Sequence, residues 1–244
     1  MREPIAIGYF NEKTTPRKAM VDLVSTSILS MPALIGEVFI EEERTISGIY
    51  EGILRSIARG KKISTEISSY LYSRGLISKD DASSIQPYLN NLRSFGLIKR
   101  IEVFNKSKFI YKHVSPLTQI FYYADEKYNI SEKETDKELE RIIDELMPRL
   151  VEDNVREFLA KKLGLTEAIM EGADYDVDAL LLKFQKPAVA IEIKWKKNIS
   201  AEEVKKAEES LEKTKAQEKW LFVQDKKNFK HRTKLRVVDI SDFL

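Results

Sequence analysis

The sequence predicts an α+β protein, helical through its first half and strand-rich in its second. Three observations carry this. Apolar residues recur at helical spacing between glycine stops over the first 100 residues. Two apolar runs, Ala179-Leu180-Leu181-Leu182 and Ala188-Val189-Ala190-Ile191, have the length of buried strands, yet each carries charge at one end. A charged helical stretch then separates them from a further apolar run, Trp220-Leu221-Phe222-Val223.

Taken in order, residues 1–45 form a helical segment. Thr15-Pro16 starts a helix through Ala19, Val21, Leu23 and Val24, and a second helix follows Met31-Pro32 with Leu34, Ile35, Val38, Phe39 and Ile40 as its apolar positions. Residues 46–115 form a clearer unit. Ile49, Ile53, Leu54 and Ile57 share a helix face that stops at Gly60. A second helix spans about Ser64 to Tyr72, with Ser64 as N-cap and Gly75 beyond it. A third runs from about Ser84 to Phe95, with Pro87 in its first turn, where a missing N–H costs little, and Gly96 as C-cap. Leu97–Val103 and Phe109–His113 read as strands around Asn105-Lys106-Ser107-Lys108. Three helices and a hairpin in this order make a winged helix-turn-helix.

Residues 116–148 form a helical connector, aromatic from Thr118 to Tyr128 and charged from Ser131 to Glu145, with Leu139, Ile142, Ile143 and Leu146 as one stripe. Residues 149–244 alternate in the order α-β-β-α-β-β: a helix from about Pro148 to Leu163, the two charged-end strands, a helix from Ser200 to Gln217, the Trp220 strand, and a last strand from Leu235 to Ile240.

Composition narrows the chemistry. The chain is 43% hydrophobic and 33% charged, with a net charge of +2, a balance that does not by itself mark a nucleic-acid binder. It has no cysteine, which excludes disulfides and thiolate zinc sites, and only two histidines, His113 and His231, far apart. Any metal would be a hard cation held by oxygen. No apolar stretch approaches the ~18 residues of a membrane span, and the N-terminus lacks a signal-peptide pattern. A soluble cytoplasmic protein is expected. Many Lys and Glu, no Cys and nine Gly fit a thermophile's composition.

The charged strand ends are the candidate site. Strand alternation puts Ala188, Ala190, Glu192 and Lys194 on one face. A turn near Gln185-Lys186-Pro187 folds this strand onto the preceding one and brings Asp178 within one residue of facing Glu192. On the preceding helix Val151, Val155, Phe158, Leu159 and Leu163 define the buried face. Glu152 borders that face, whereas Glu157 falls nearer the polar side with Asp153, Asn154 and Lys161. Inward carboxylates gathered together must be offset by a cation or be protonated. A metal-dependent phosphodiesterase site needs such carboxylates and a lysine. The competing reading is an ion pair of Glu192 and Lys194 at a sheet rim.

Glu152 on a helix, Asp178 at a strand start and Glu192-Ile193-Lys194 at a strand end resemble the PD-(D/E)XK nuclease superfamily. The resemblance implies a restriction-endonuclease-like domain over 149–244. Asp178 and Glu192 would then be ligands of Mg2+, with Mn2+ as an alternative. Lys194 would assist the nucleophile or stabilise the transition state, and Glu152 would orient a water. The sequence departs from that pattern at Asp176, because the proline of the family's name is missing before the aspartate. Asp174 and Asp176 compete with Asp178 as ligands, and Asp178 lies nearest the apolar run.

The wider order of parts resembles the C-terminal portion of archaeal AAA-type ATPases, which carry a C-terminal domain of unknown function. The matching segments include Arg2 to Phe10, Tyr50 to Gly60, Tyr88-Leu89-Asn90-Asn91-Leu92, Phe95-Gly96-Leu97-Ile98 and Ile191-Glu192-Ile193-Lys194-Trp195. Those ATPases begin with a P-loop, and no G-x-x-x-x-G-K-[ST] occurs here, so no residue is assigned to ATP. The chain is then a fragment, a stand-alone relative or a remnant of such a protein, with an ATPase domain or another protein as a partner.

In a DNA-binding winged helix the third helix enters the major groove. Gln86, Asn90 and Arg93 on that helix, and Lys106 and Lys108 on the wing, are the candidates for DNA contact, against Asp80-Asp81, which would repel phosphate. Two functions follow: a Mg2+-dependent DNA endonuclease guided by the winged helix, or a non-catalytic DNA- or protein-binding module that uses the nuclease fold as a scaffold.

Overall fold

The computed structural model describes residues 14–27, 30, 36, 44–130, 136–172 and 175–244. The described helices are α1 (Pro16–Ser27), α2 (Arg44–Ala58), α3 (Ser64–Ser73), α4 (Gln86–Ser94), α5 (Pro116–Tyr128), α6 (Asp136–Leu163) and α7 (Ala201–Glu212). The strands are β1 (Ile98–Val103), β2 (Phe109–His113), β3 (Thr166–Glu171), β4 (Asp176–Lys183), β5 (Lys186–Lys194), β6 (Glu218–Val223) and β7 (Arg236–Val238). The fold is α+β, with a seven-stranded mixed sheet in the order β2-β1-β3-β4-β5-β6-β7. The chain divides into two compact units, Met1–Arg100 with Phe109–Met147, and Ile101–Lys108 with Pro148–Leu244.

In the first unit the expected helical spacing is realised: Ile49, Ile53, Leu54 and Ile57 of α2 are all buried. At Gly52 a Cβ would meet Leu76 Cδ1 at 2.5 Å and Leu71 Cδ2 at 2.6 Å, so a larger residue there must displace those two leucine side-chain ends. Leu89 and Leu92 are the buried face of α4, and Gly96 after it adopts φ +74°, a conformation that glycine takes without strain. The Ser115 hydroxyl accepts from the Thr118 N–H and caps α5. Arg55 ties α2 to α5 through Asp125 at 2.6 Å and Glu126 at 3.2 Å. Of the helix expected over residues 34–40 only Gly36 falls among the described residues, and it is helical.

The second unit is layered. β3, β4 and β5 are antiparallel neighbours, and β5, β6 and β7 run parallel. The end of β1 joins β3 in parallel through Glu102↔Ala168 and Val103↔Ile169. One face of the sheet packs Leu180, Leu182, Ala190 and Leu221 under Val204, Ala207 and Leu211 of α7. The other packs Leu181, Ile191, Ile193 and Phe222 against Leu159 and Ala160 of α6. This two-sided burial explains why β4 and β5 read as near-continuous apolar runs. α7 begins with a capping box, in which Ser200 Oγ accepts from the Glu203 N–H at 3.2 Å and Glu203 Oε2 accepts from the Ser200 N–H at 2.9 Å. Ser200→Ala is expected to lower stability by about 1 kcal/mol in urea unfolding.

Four expectations are corrected. The order in the second half is α-β-β-β-α-β-β, because Thr166–Glu171 forms β3, an extra strand. The connector helix and the helix expected from Pro148 are one helix, α6, with Pro148 inside it. Proline there forfeits the bond to the Asp144 carbonyl, at a cost of roughly 3 kcal/mol. Burial of Ile142 and Leu146 before the proline, and of Leu150 and Leu159 after it, opposes that cost. The β4–β5 turn is at Phe184-Gln185, not Gln185-Lys186-Pro187. Both turn residues take positive φ, 49° and 63°, Lys183 pairs with Lys186, and Pro187 lies within β5 opposite Leu182, beside a register shift. The last strand is shorter than expected, Arg236–Val238, and is followed by a 3-10 turn at Ile240–Asp242.

Candidate active site

The site is built by the β4–β5 register. Ala179 pairs with Ile191 as the last pair of this ladder, and Asp178 and Glu192 follow directly beyond it on the two strands, close enough for one carboxylate to act on the other. Alternation places Glu192 and Lys194 on the face whose preceding residue, Ala190, packs under α7. β4 carries a register shift at this point that leaves Val177 and Leu180 in one cluster, so Asp178 is placed by its hydrogen bond rather than by alternation. The backbone locks the aspartate in place: the Ile193 N–H donates to Asp178 Oδ2 at 2.8 Å. Lys194 Nζ donates to Glu192 Oε1 at 2.6 Å, with the lysine side chain 26% exposed and the glutamate 13% exposed. The rim ion pair therefore forms, but it is open to solvent on the lysine side. Asp178 Oδ1 and Glu192 Oε2 have no hydrogen-bond partner among the described residues.

Electrostatics at this corner is frustrated. Burial pushes the Asp178 carboxyl up, against the Ile193 N–H and the Lys194 ammonium, which pull it down. Burial also pushes Glu192 up, and the facing Asp178 carboxylate adds to this, so that Glu192 reaches about 7 despite Lys194. Burial acts to lower Lys194, but Glu192, Asp178 and Glu203 outweigh it and hold the ammonium above its usual value. One lysine thus faces two carboxylates that repel each other, an arrangement that an added cation would relieve. Among the described residues no set of three or more His, Cys, Asp or Glu side chains converges as a metal-ligand group. A pair of carboxylates is the donor number with which Mg2+ is often held, the remaining positions being filled by water and phosphate oxygens.

Sequence reasoning missed a residue that supports this corner. Arg156 of α6 is buried, with only 2% of its side chain exposed. Its Nη1 donates to the Asp178 carbonyl at 2.9 Å, its Nη2 to Asp153 Oδ1 at 2.6 Å and its Nε to Glu167 Oε2 at 3.4 Å. The helix-face assignment is corrected with it. Asp153 turns toward this buried guanidinium, and Glu157 is buried and paired with Lys161 at 2.9 Å, so neither lies on a purely solvated face. Glu152 is half-buried on the same helix.

The DNA-contact candidates fall in both units. On α4, Asn90 is exposed and its Oδ1 accepts from Arg93 Nη1 at 3.3 Å. Gln86 is half-buried, donates to the Ala82 carbonyl at 3.2 Å and accepts from the Tyr111 hydroxyl at 3.5 Å. Lys106 is exposed at the hairpin tip, whereas Lys108 is paired with Glu171 of β3 at 3.3 Å, and both belong to the second unit. Asp80 is held below the usual carboxylate range by the Ser68 and Ser69 hydroxyls, and Asp81 by the backbone and hydroxyl of Ser83, so both keep their charge before α4. Asp174 lies outside the described residues.

No family model, curated protein or solved structure matches the chain. Among the described residues no helix is long and apolar enough to cross a membrane.

Proposed function

We propose that the chain is a Mg2+-dependent DNA endonuclease, with a restriction-endonuclease-like domain and a winged helix that presents α4 to DNA. The observation that carries the reading is the opposition of Asp178 and Glu192, both pushed up by burial, with Lys194 on the same face. Asp178 and Glu192 would hold the ion through their unshared oxygens. When bound, Mg2+ or Mn2+ supplies Lewis-acid activation of water and neutralises phosphate charge. Lys194, kept protonated by its neighbours, places a positive charge where the phosphoryl oxygens gain negative charge. Glu152 would orient the attacking water, and Arg156 fixes the backbone that carries Asp178.

The test is cleavage of plasmid DNA and of single-stranded circular DNA with Mg2+ and with EDTA. Lys194→Met is expected to slow cutting about a hundredfold, the size of effect seen when a preorganised charge is removed, and Asp178→Ala to abolish it. Equal cutting by all three proteins would show a contaminant and end the assignment. The 2.6 Å Glu192–Lys194 pair favours a second reading, a non-catalytic DNA- or partner-binding module of an archaeal ATPase-like protein. That reading requires salt-dependent binding with no cleavage under any divalent ion.

A further inference from the structure

A cleft of the second unit opens just past this corner. It has a volume of about 740 Å3 and is lined by Lys196 to Ile199, by Val223 to Asp225 and by Asn228 to His231. Its floor residue Val223 is the register partner of Lys194, one interstrand spacing, about 4.8 Å, away. The cleft thus begins where the catalytic face of β5 ends, outside the carboxyl ends of the parallel strands β5 and β6, where open α/β sheets bind ligands.

Its walls are two loops held together by bonds that leave two cations over. His231 Nε2 lies 2.6 Å from the Ile199 carbonyl and pins the far loop to the strand exit. Asp225 is spent on its own turn, accepting from the Lys227 N–H at 2.9 Å and from Asn228 Nδ2 at 2.7 Å. Lys196 is tied to Glu203 at 2.5 Å. Lys197 and Lys230 are exposed and, among the described residues, have no ion-pair partner. Neighbouring lysines set against one aspartate that is already engaged make a cationic recess. Its volume lies within the range of about 300–1,000 Å3 typical of ligand sites. A recess of that size accepts one strand, whereas a duplex requires an open face.

We propose that this cleft binds a single strand of DNA, with Lys197 and Lys230 holding backbone phosphates that flank the one placed at Asp178, Glu192 and Lys194. The proposal rests on the nuclease reading of that corner, since it names the form of substrate the corner receives. Lysines bind phosphate as point charges and read no base, so binding through them is sequence-independent and salt-dependent.

The test is fluorescence anisotropy of a labelled single-stranded oligonucleotide with the full chain in EDTA, across a salt series. Lys197→Ala/Lys230→Ala is expected to bind about tenfold more weakly. Its slope of log K against log salt is expected to be shallower by about 1.4, from ~0.7 per single-strand phosphate. Lys205→Ala/Lys206→Ala, on the exposed face of α7, removes the same net charge and is expected to bind as wild type does. Equal weakening by the α7 variant, or unchanged binding by the cleft variant, overturns the proposal. So does a preference for duplex that the cleft variant leaves intact. If the wild type cuts DNA while the cleft variant binds normally, the cleft assignment falls and the nuclease reading stands. If binding depends on Lys197 and Lys230 but Mg2+ never elicits cleavage, the cleft stands and the nuclease reading falls.

Discussion

Arg156→Met is expected to destabilise the protein by about 3 kcal/mol, at the low end of the ~3–5 kcal/mol seen when one partner of a buried ion pair is removed. The guanidinium is 2% exposed, so it has given up its hydration and is held by Asp153, Glu167 and the Asp178 carbonyl. Methionine keeps most of the apolar stem, which isolates the charge and its hydrogen bonds from loss of packing. It removes one donor from the Asp153 carboxylate and the Nη1 donor from the Asp178 carbonyl. The low end applies because Asp153 and Glu167 are 14% and 20% exposed, so water can recover part of their solvation. The 3.4 Å contact to Glu167 is long for a hydrogen bond and contributes least. Urea unfolding measures the loss as a lower midpoint at constant slope. A change under about 1 kcal/mol would mean that the three bonds are no better than those to water, and that Arg156 does not anchor the corner.

Arg156 also marks where sequence reading stops. The face shared by Glu192 and Lys194 was legible because strand alternation has a period of two and the two residues are two apart. The opposition of Asp178 and Glu192 followed from a short hairpin between two apolar runs, even though the turn residues were misplaced by one. Phe184 and Gln185 carry no turn chemistry of the Asn-Gly kind, so the positive φ they adopt leaves no trace in composition. β3 was missed for a related reason. Thr166-Glu167-Ala168-Ile169-Met170-Glu171 has charges near both ends and a single β-branched apolar residue, and it is made a strand by pairing with β1 and β4. Arg156 reads as an ordinary helix-surface residue because two of its partners lie 11 and 22 residues away, across an extra strand that was not expected. Pro148 was read as a helix start, the usual meaning of proline after a charged run, and burial on both sides of it overrode that preference.

The Glu192→Gln variant is expected to gain stability relative to wild type as pH rises, the reverse of what loss of a salt-bridge partner gives. Glu192 titrates near 7 in the fold against about 4.5 unperturbed. Below about pH 4.5 the group is protonated in both folded and unfolded chains and contributes nothing. Between 4.5 and 7 the unfolded chain releases the proton while the folded chain retains it, so stability falls with rising pH. Above 7 the loss levels off, on the order of 3 kcal/mol for a shift of this size. Asp178, also pushed up by burial, adds a loss of the same sign. Glutamine keeps the shape and cannot ionise, so the variant lacks the Glu192 part of this slope. It also deprives Lys194 of a counter-charge, an effect that is greatest where Glu192 would be ionised and so works against the gain. The gain prevails if mutual repulsion and burial dominate the corner, as the upward shift of Glu192 requires. A divalent cation should then raise the melting temperature of wild type more at pH 8 than at pH 5, and that of the variant little at either, because an ion bound only by the folded, ionised pair stabilises it by mass action. If the stability difference between variant and wild type is flat or falls with pH, Lys194 alone satisfies the pair. The corner is then a closed ion pair with no vacancy for a cation, which is the scaffold reading rather than the nuclease.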